Sequence, residues 1–260
     1  MKNLLFIPVY NCEKQISRVL NQMDDSILEF ISHILVVNNC SSDNSENVII
    51  DYCKSMQNLP LTLLRNKENV GAGGSHKIAF NYAIDNNYDY IIILHGDDQG
   101  NIADILPYLK TGEAYKYDAF LGTRFHTESK LINYSKFRIF GNRVFNYLLS
   151  LMLKNNILDT GAGLNMYSVG LLKTKFYMSF ADSLSFYTYF LIYLIHTKSN
   201  FTYFPISWRE DDQISSVKLF SLSKEILCTT FRYVKNRKDF FAKQKMNYTK
   251  DYNSSVIYTQ

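Results

Sequence analysis

The segment His95-Gly96-Asp97-Asp98-Gln99 concentrates side chains able to hold a divalent cation, and it follows directly on the apolar run Tyr90–Leu94. A hard cation bound to a diphosphate takes oxygen ligands and keeps positions open for phosphate oxygens and water. Alternate residues of an extended segment face one side, so His95, Asp97 and Gln99 form a candidate ligand face. Imidazole, carboxylate and amide together suit Mn²⁺ at least as well as Mg²⁺. A simpler reading of the same residues makes His95 a hydrogen-bonded histidine at a strand end and leaves Asp97 alone to touch metal.

Three other clusters carry polar residues at spacings suited to a ligand edge. They are Pro8-Val9-Tyr10-Asn11 with Glu13, Asn38-Asn39-Cys40-Ser41-Ser42-Asp43, and Asn69-Val70-Gly71-Ala72-Gly73-Gly74. Taken singly, the second reads equally as a turn with a helix cap. The glycine run lacks the third glycine of a dinucleotide loop, has His76 in that place and follows the third strand, which disfavours hydride transfer. Close packing of loop on helix is the expected reason for Gly73 and Gly74.

These clusters need a frame that brings strand ends together. Apolar runs at Leu4–Val9, Ile34–Val37, Leu61–Leu64 and Tyr90–Leu94 read as strands, separated by helical spacing over Glu13–Met23, from Val48, and over Gly74–Ile84. Such alternation predicts an α/β fold with a mostly parallel sheet and helices on both faces. The carboxyl ends of parallel strands share one edge, so all four clusters are expected to meet there. Later elements are strands at Ala119–Gly122, Asn165–Tyr167 and Phe201–Ile206, and helices at Phe137–Leu153, Asp182–His196 and Val217–Lys235. The domain is placed at 1–218, an amphipathic helical extension at 219–241 and a flexible tail at 242–260.

Composition bounds the partners. The 260 residues are 47% apolar and 20% charged, as in a globular chain, with 20 Tyr and 18 Phe expected chiefly in the core. A net charge of +4 is too small to argue for nucleic acid. Nine Lys/Arg between Lys218 and Lys250 face only Glu225 and Asp239, and Lys224, Arg232, Lys235, Arg237 and Lys238 interleave with aromatics. That pattern suits peripheral contact with an anionic membrane, or equally a solvated face of a packing helix. No apolar run reaches the length of about 18 residues that spans a bilayer, and no signal-peptide pattern opens the chain. Four cysteines without ligand spacing are expected as reduced thiols in the cytoplasm.

Read in order, PVYN, VVNNCSSDNS, NVGAGG, LHGDDQ, GTRF, DTGAGL and WREDDQISSVK resemble the successive blocks of family 2 glycosyltransferases of GT-A fold. They are most similar to the dolichyl- and polyprenyl-phosphate sugar synthase branch. The resemblance implies transfer of a sugar, with inversion, from a UDP- or GDP-sugar to a polyprenyl phosphate at the inner membrane face, with Mn²⁺ or Mg²⁺. It places the donor on Pro8, Tyr10, Glu13, Asn38, Asp43, Gly71, Asp97, Arg209 and Lys218, and the metal on His95, Asp97 and Gln99. Arg124, Arg138 and Asn142 fall where that branch grips the acceptor phosphate, while Arg209 and the Ser215/Ser216–Lys218 segment match a loop that closes over the diphosphate.

Asn38-Asn39 stands where an acidic pair is usual, and His95 where the metal block begins with Asp. The loss of one charge predicts weaker metal binding that fails further as imidazole protonates. A phosphate acceptor needs no general base. A saccharide hydroxyl acceptor of a growing glycan does, and Asp159 and Asp182 are the candidates. Binding of nucleotide sugar without turnover and nucleotidyl transfer are the other readings.

Overall fold

Continuous apolar runs without alternation make strands buried on both faces, and Leu4–Ile7, Ile34–Val37 and Ile91–Leu94 are fully enclosed. The computed structural model describes residues 1–56, 59–212, 219–242 and 252–260. Strands β1 (Asn3–Val9), β2 (His33–Asn38), β3 (Leu61–Asn66) and β4 (Tyr90–Leu94) alternate with helices. These are α1 (Ile16–Leu20), α2 (Asp25–Leu28), α3 (Ser45–Ser55) and α4 (Gly71–Asp85). Next come α5 (Leu106–Lys110), β5 (Ala119–Thr123), β6 (Lys130–Ile132), α6 (Lys136–Leu153), β7 (Leu164–Ser168) and α7 (Val169–Leu172). The described chain ends with α8 (Phe186–Thr197), β8 (Phe201–Pro205), β9 (Ser207–Arg209), α9 (Leu219–Lys235) and β10 (Ser254–Thr259).

Eight strands form one sheet in the order β10-β3-β2-β1-β4-β7-β5-β8. The first four strands run parallel, as do β5 and β8, while β7 is antiparallel to both β4 and β5. The reversal of β7 matters for the site. Leu164, its first residue, pairs with Leu94, the last residue of β4, so the loop before β7 arrives at the carboxyl edge of the parallel strands. A separate ribbon pairs β6 with β9.

Helices cover both faces. Along β4, Ile91 and Ile93 join an aromatic layer with Phe80, Tyr167, Phe186 and Phe190, while Ile92 and Leu94 join the opposite layer with Ile16, Leu20 and Ile49. This is the period of two expected of a strand. The aromatics of this layer are thus packing groups: Phe80 meets Tyr177 edge-on at 5.0 Å between centroids, and Phe186 lies 6.1 Å from Phe190. Helix α8, apolar all round, is correspondingly buried. Among the described residues no helix is long and apolar enough to cross a membrane. All four cysteines are free thiols.

The C-terminal end departs from the expected flexible tail. Residues 254–259 form β10, antiparallel on the open edge of β3. Val256, Ile257, Tyr258 and Thr259 are strand-favouring residues, and an edge strand offers unpaired N–H and C=O groups to any such segment. The chain just before it is tied down as well, since the Tyr252 hydroxyl donates to Asp182 Oδ1 at 2.8 Å. Helix α9, read as an extension, sets Ile226 and Tyr233 into the same aromatic layer as Phe80.

Deleting residues 252–260 should therefore lower stability by roughly 1–3 kcal/mol and expose the β3 edge. Urea denaturation reads the first effect and light scattering at high protein concentration the second.

Candidate active site

The four polar clusters meet at the carboxyl edge of β1–β4, and hydrogen bonds stitch them together. The loop after β1 is joined to the loop after β2: Asn11 N donates to Ser41 Oγ at 3.0 Å, Ser42 N to Asn11 Oδ1 at 2.9 Å and Glu13 N to Asp43 Oδ2 at 3.0 Å. Glu13 Oε2 in return accepts from Asn44 N at 3.2 Å. Asn39 links β2 to the third cluster, accepting from Val70 N at 3.0 Å and donating to Asn69 Oδ1 at 2.9 Å. The fourth is held to the first by Gly96 N donating to the Pro8 carbonyl at 3.1 Å. Tyr10 stands exposed at the rim.

Asn38 is buried, its amide donating to Glu46 Oε2 at 2.9 Å, and Glu46 also pairs with Arg65. An aspartate at 38 would set two carboxylates against each other. The asparagine is what permits Glu46, a residue the motif reading missed, to sit behind the cluster. The glycine run serves packing, as expected for Gly73: an added Cβ would lie 2.4 Å from the Ala181 carbonyl oxygen and 2.9 Å from Asp182 Cα. Gly71 packs on the backbone of Asp182, so its place is a loop–helix contact at the border of this edge.

The expected ligand face of His95, Asp97 and Gln99 is not assembled. Gly96–Asp98 is a turn, with Asp98 in the left-handed region at φ 61°, so alternate residues do not share a side. Gln99 Nε2 donates to the Arg209 carbonyl at 3.3 Å, and Asp97 Oδ1 accepts from Gln99 N at 3.2 Å. His95 turns to Tyr187. His76 Nδ1 lies 2.7 Å from the Ala72 carbonyl, which only accepts, so this nitrogen carries the proton. His76 Nε2 then accepts from the Tyr187 hydroxyl at 2.8 Å, which leaves that oxygen to accept from His95 Nε2 at 2.6 Å. Burial pushes the His76 imidazole down to about 3 and lowers that of His95 despite the pull of Asp97, so both rings are neutral. The other edge of His95 packs on Gly163, where an added Cβ would come within 3.1 Å of Nδ1. Among the described residues no three His, Cys, Asp or Glu side chains gather to hold a metal. The donors present fit a divalent ion held through the Asp97 carboxylate and completed by substrate oxygens and water.

Asp98, which carried no role in the motif reading, is fully buried and takes Arg18 Nε at 2.5 Å, Gln22 Nε2 at 3.3 Å and an ion pair from Arg209. Arg209, expected at the diphosphate, is thereby committed to the turn that presents Asp97, and its Nε donates to the Asp98 carbonyl at 2.7 Å. Ser215, Ser216 and Lys218 lie outside the described residues.

Each residue expected on the acceptor side has a protein partner. Arg124 Nε and Nη2 both donate to Asp159 at 2.8 Å, joined by Arg124 N at 3.0 Å and by Gly161 N at 3.1 Å. Burial would raise the Asp159 carboxyl, but the guanidinium and these donors outweigh it and hold it below the ordinary carboxylate range. Such a carboxylate is a poor proton acceptor. Asp182 takes the buried Lys77 ammonium at 2.8 Å as well as Tyr252. Arg138 pairs with Glu210 at 2.5 Å, and Asn142 donates to the Tyr134 hydroxyl at 2.9 Å.

A parallel sheet edge that gathers these loops, with a carboxylate at the end of β4, defines a GT-A type of nucleotide-sugar enzyme fold. Among solved structures, glucosyl-3-phosphoglycerate synthase from Mycobacterium tuberculosis in complex with uridine diphosphate matches 90% of this chain and 80% of its own, with TM-score 0.62 and 13% identity. The same enzyme with Mn²⁺, uridine diphosphate and glucosyl-3-phosphoglycerate matches 90% and 79%, with TM-score 0.61 and 14% identity. S. aureus TarS in complex with UDP-GlcNAc matches 96% and 78%, with TM-score 0.57 and 16% identity. A search of curated proteins finds no match. The family model for glycosyl transferase family 2 matches residues 5–176, and the chain belongs to that family.

Replacing Asp159 by Asn should cost about 3–5 kcal/mol, because it strands a buried guanidinium; a drop in Tm checks this, where a general base alone would leave Tm unchanged. His76 gives a pH signature. Its folded value near 3 lies below the unfolded value of about 6.5, so its contribution is complete above pH ~6.5 and is lost as pH falls, by up to roughly 1.4 kcal/mol per unit. Urea midpoints measured from pH 7 to 4 should fall less steeply in His76→Gln than in the wild type.

Proposed function

We propose that this family 2 glycosyltransferase moves a sugar from a UDP- or GDP-sugar to an acceptor that arrives already anionic, a polyprenyl phosphate, at the cytoplasmic face of a membrane. The observation that carries this reading is the state of the two candidate bases. Asp159 is consumed by Arg124, and Asp182 by Lys77 and Tyr252. A saccharide hydroxyl must lose a proton as it attacks. A phosphate oxygen attacks the anomeric carbon as it is, and the nucleoside diphosphate leaves with the bonding pair, inverting that carbon.

In this reading Pro8, Tyr10, Glu13, Asn38 and Asp43 frame the nucleotide, their loops stiffened by the bonds between the first two clusters. Asp97 would hold Mn²⁺ or Mg²⁺. That ion, when bound, supplies positive charge against the leaving diphosphate. Arg209 acts at one remove, fixing the turn that carries Asp97 through Asp98. Arg138, the more exposed of the two acceptor-side arginines, would meet the acceptor phosphate by sharing its charge with Glu210, with Asn142 one helical turn along. Arg124 supports that floor from beneath, its guanidinium 5.1 Å from the Trp208 ring.

Release of nucleoside diphosphate should be metal-dependent, stimulated by added polyprenyl phosphate and reduced at least 100-fold in Asp97→Asn, with unchanged Tm. Release stimulated instead by a saccharide, and indifferent to the lipid phosphate, would assign the hydroxyl-acceptor reaction. A thermal-shift screen of nucleotide sugars identifies the base.

A further inference from the structure

Helix α6 is apolar on two opposite sides. Asn146, Leu149 and Leu153 face inward, and Leu149 and Leu153 belong to the aromatic layer of the core. On the other side Phe137 is 82% exposed, Phe140 68%, Tyr147 64% and Leu151 58%, with Val144 and Leu148 between them. At 3.6 residues per turn these six fall within an arc of roughly 100°, opposite the buried side. Lys136 and Arg143 run along one border of the stripe and Lys154 closes its end, all three exposed. The helix contains no Asp or Glu.

Six large apolar side chains in one stripe are not the scattered exposure of an ordinary surface. The charges decide what covers them. A second copy packed face to face would bring rows of lysine and arginine together with no carboxylate on α6 to neutralise them. A bilayer bearing anionic headgroups satisfies both halves of the pattern, since acyl chains take the aromatic and leucine side chains and headgroups take the cations. The C-terminal helical extension, expected in that role, divides its residues: Lys224, Lys235, Arg237, Lys238 and Phe231 are exposed, while Tyr233 and Phe240 are buried. Ile226, Thr229, Thr230 and Tyr233 of α9 are buried, and Arg232 donates to Tyr189 and Thr229.

We propose that the outer face of α6, Phe137 to Leu151 with its cation border, seats the protein on an anionic lipid bilayer. Seated there, the enzyme has the bilayer on one side of a single helix and the Arg124–Asp159 pair on the other, because Asn146 on the inner side of α6 donates to the Leu158 carbonyl at 2.7 Å. This surface rests on exposure and charge, not on the sugar-transfer reading, and it is tested on the protein alone without turnover.

The test is flotation of the full chain with vesicles of phosphatidylcholine, alone or with 30% phosphatidylglycerol, followed by sedimentation analysis. The expected result is binding to the anionic vesicles, weakened by salt, at least tenfold weaker in Phe140→Glu/Leu151→Glu and in Lys136→Glu/Arg143→Glu. These positions are exposed, so circular dichroism should be unchanged. Absence of binding to anionic vesicles overturns the proposal, as does binding that both double variants retain. A concentration-dependent dimer abolished by Phe140→Glu/Leu151→Glu, without vesicle binding, assigns the face to a second copy and also overturns it.

Discussion

A carboxylate removed from water must find cations, and Asp98 finds two from distant parts of the chain. Arg18 comes from α1 and Arg209 from β9, with the Gln22 amide completing the set. The cost of burying a charge is offset only when its partners hold good geometry, and removing one partner of such a group typically costs about 3–5 kcal/mol. That requirement fixes the turn after β4, and with it the neighbouring Asp97. The β6–β9 ribbon is held by the same constraint, because Arg209 N also donates to the Gln99 carbonyl at 3.0 Å. A left-handed backbone at Asp98 is tolerable for a short polar side chain, and here the ion pairs hold it.

A similar economy of charge runs along the rest of the edge. Polar groups there are neutral where they are buried and paired where they are charged. His76, Tyr187 and His95 form a chain of hydrogen bonds whose direction is set at one end by the Ala72 carbonyl. Arg124 and Asp159 cancel inside the same region, and Lys77 finds Asp182, Tyr252 and the Phe180 carbonyl. The result is a hydrogen-bonded rim around Asp97.

Helix α6 connects this rim to the outside. Its inner side closes the aromatic layer and steadies the loop that carries Asp159, while its outer side offers apolar surface to a different medium. A helix amphipathic in the usual sense has one apolar stripe. The second stripe here is exposed among the described residues, and it is the observation behind the proposed contact with lipid.

By itself the sequence determined seven of the eight strands of the main sheet, all but β10, and the polar clusters at the ends of the first four. Continuous apolar runs such as Tyr90–Leu94 read as buried strands, their alternation with helical spacing implied a mostly parallel sheet, and the polar residues at the strand ends marked the edge where the four clusters meet. Those signals are local, set by backbone period and by burial on both faces. What the tertiary structure decided is non-local. The reversal of β7, the addition of β10 to the edge of β3 and the pairing of β6 with β9 depend on which edges remain open once the other strands are placed. The roles of individual charged residues depend on it too. Arg124, Asp159, Arg209 and Asp182 all read as chemistry in the sequence, yet each is held by a partner at least 35 residues away in the chain. Which cation meets which carboxylate is settled only when both are drawn out of water into one place.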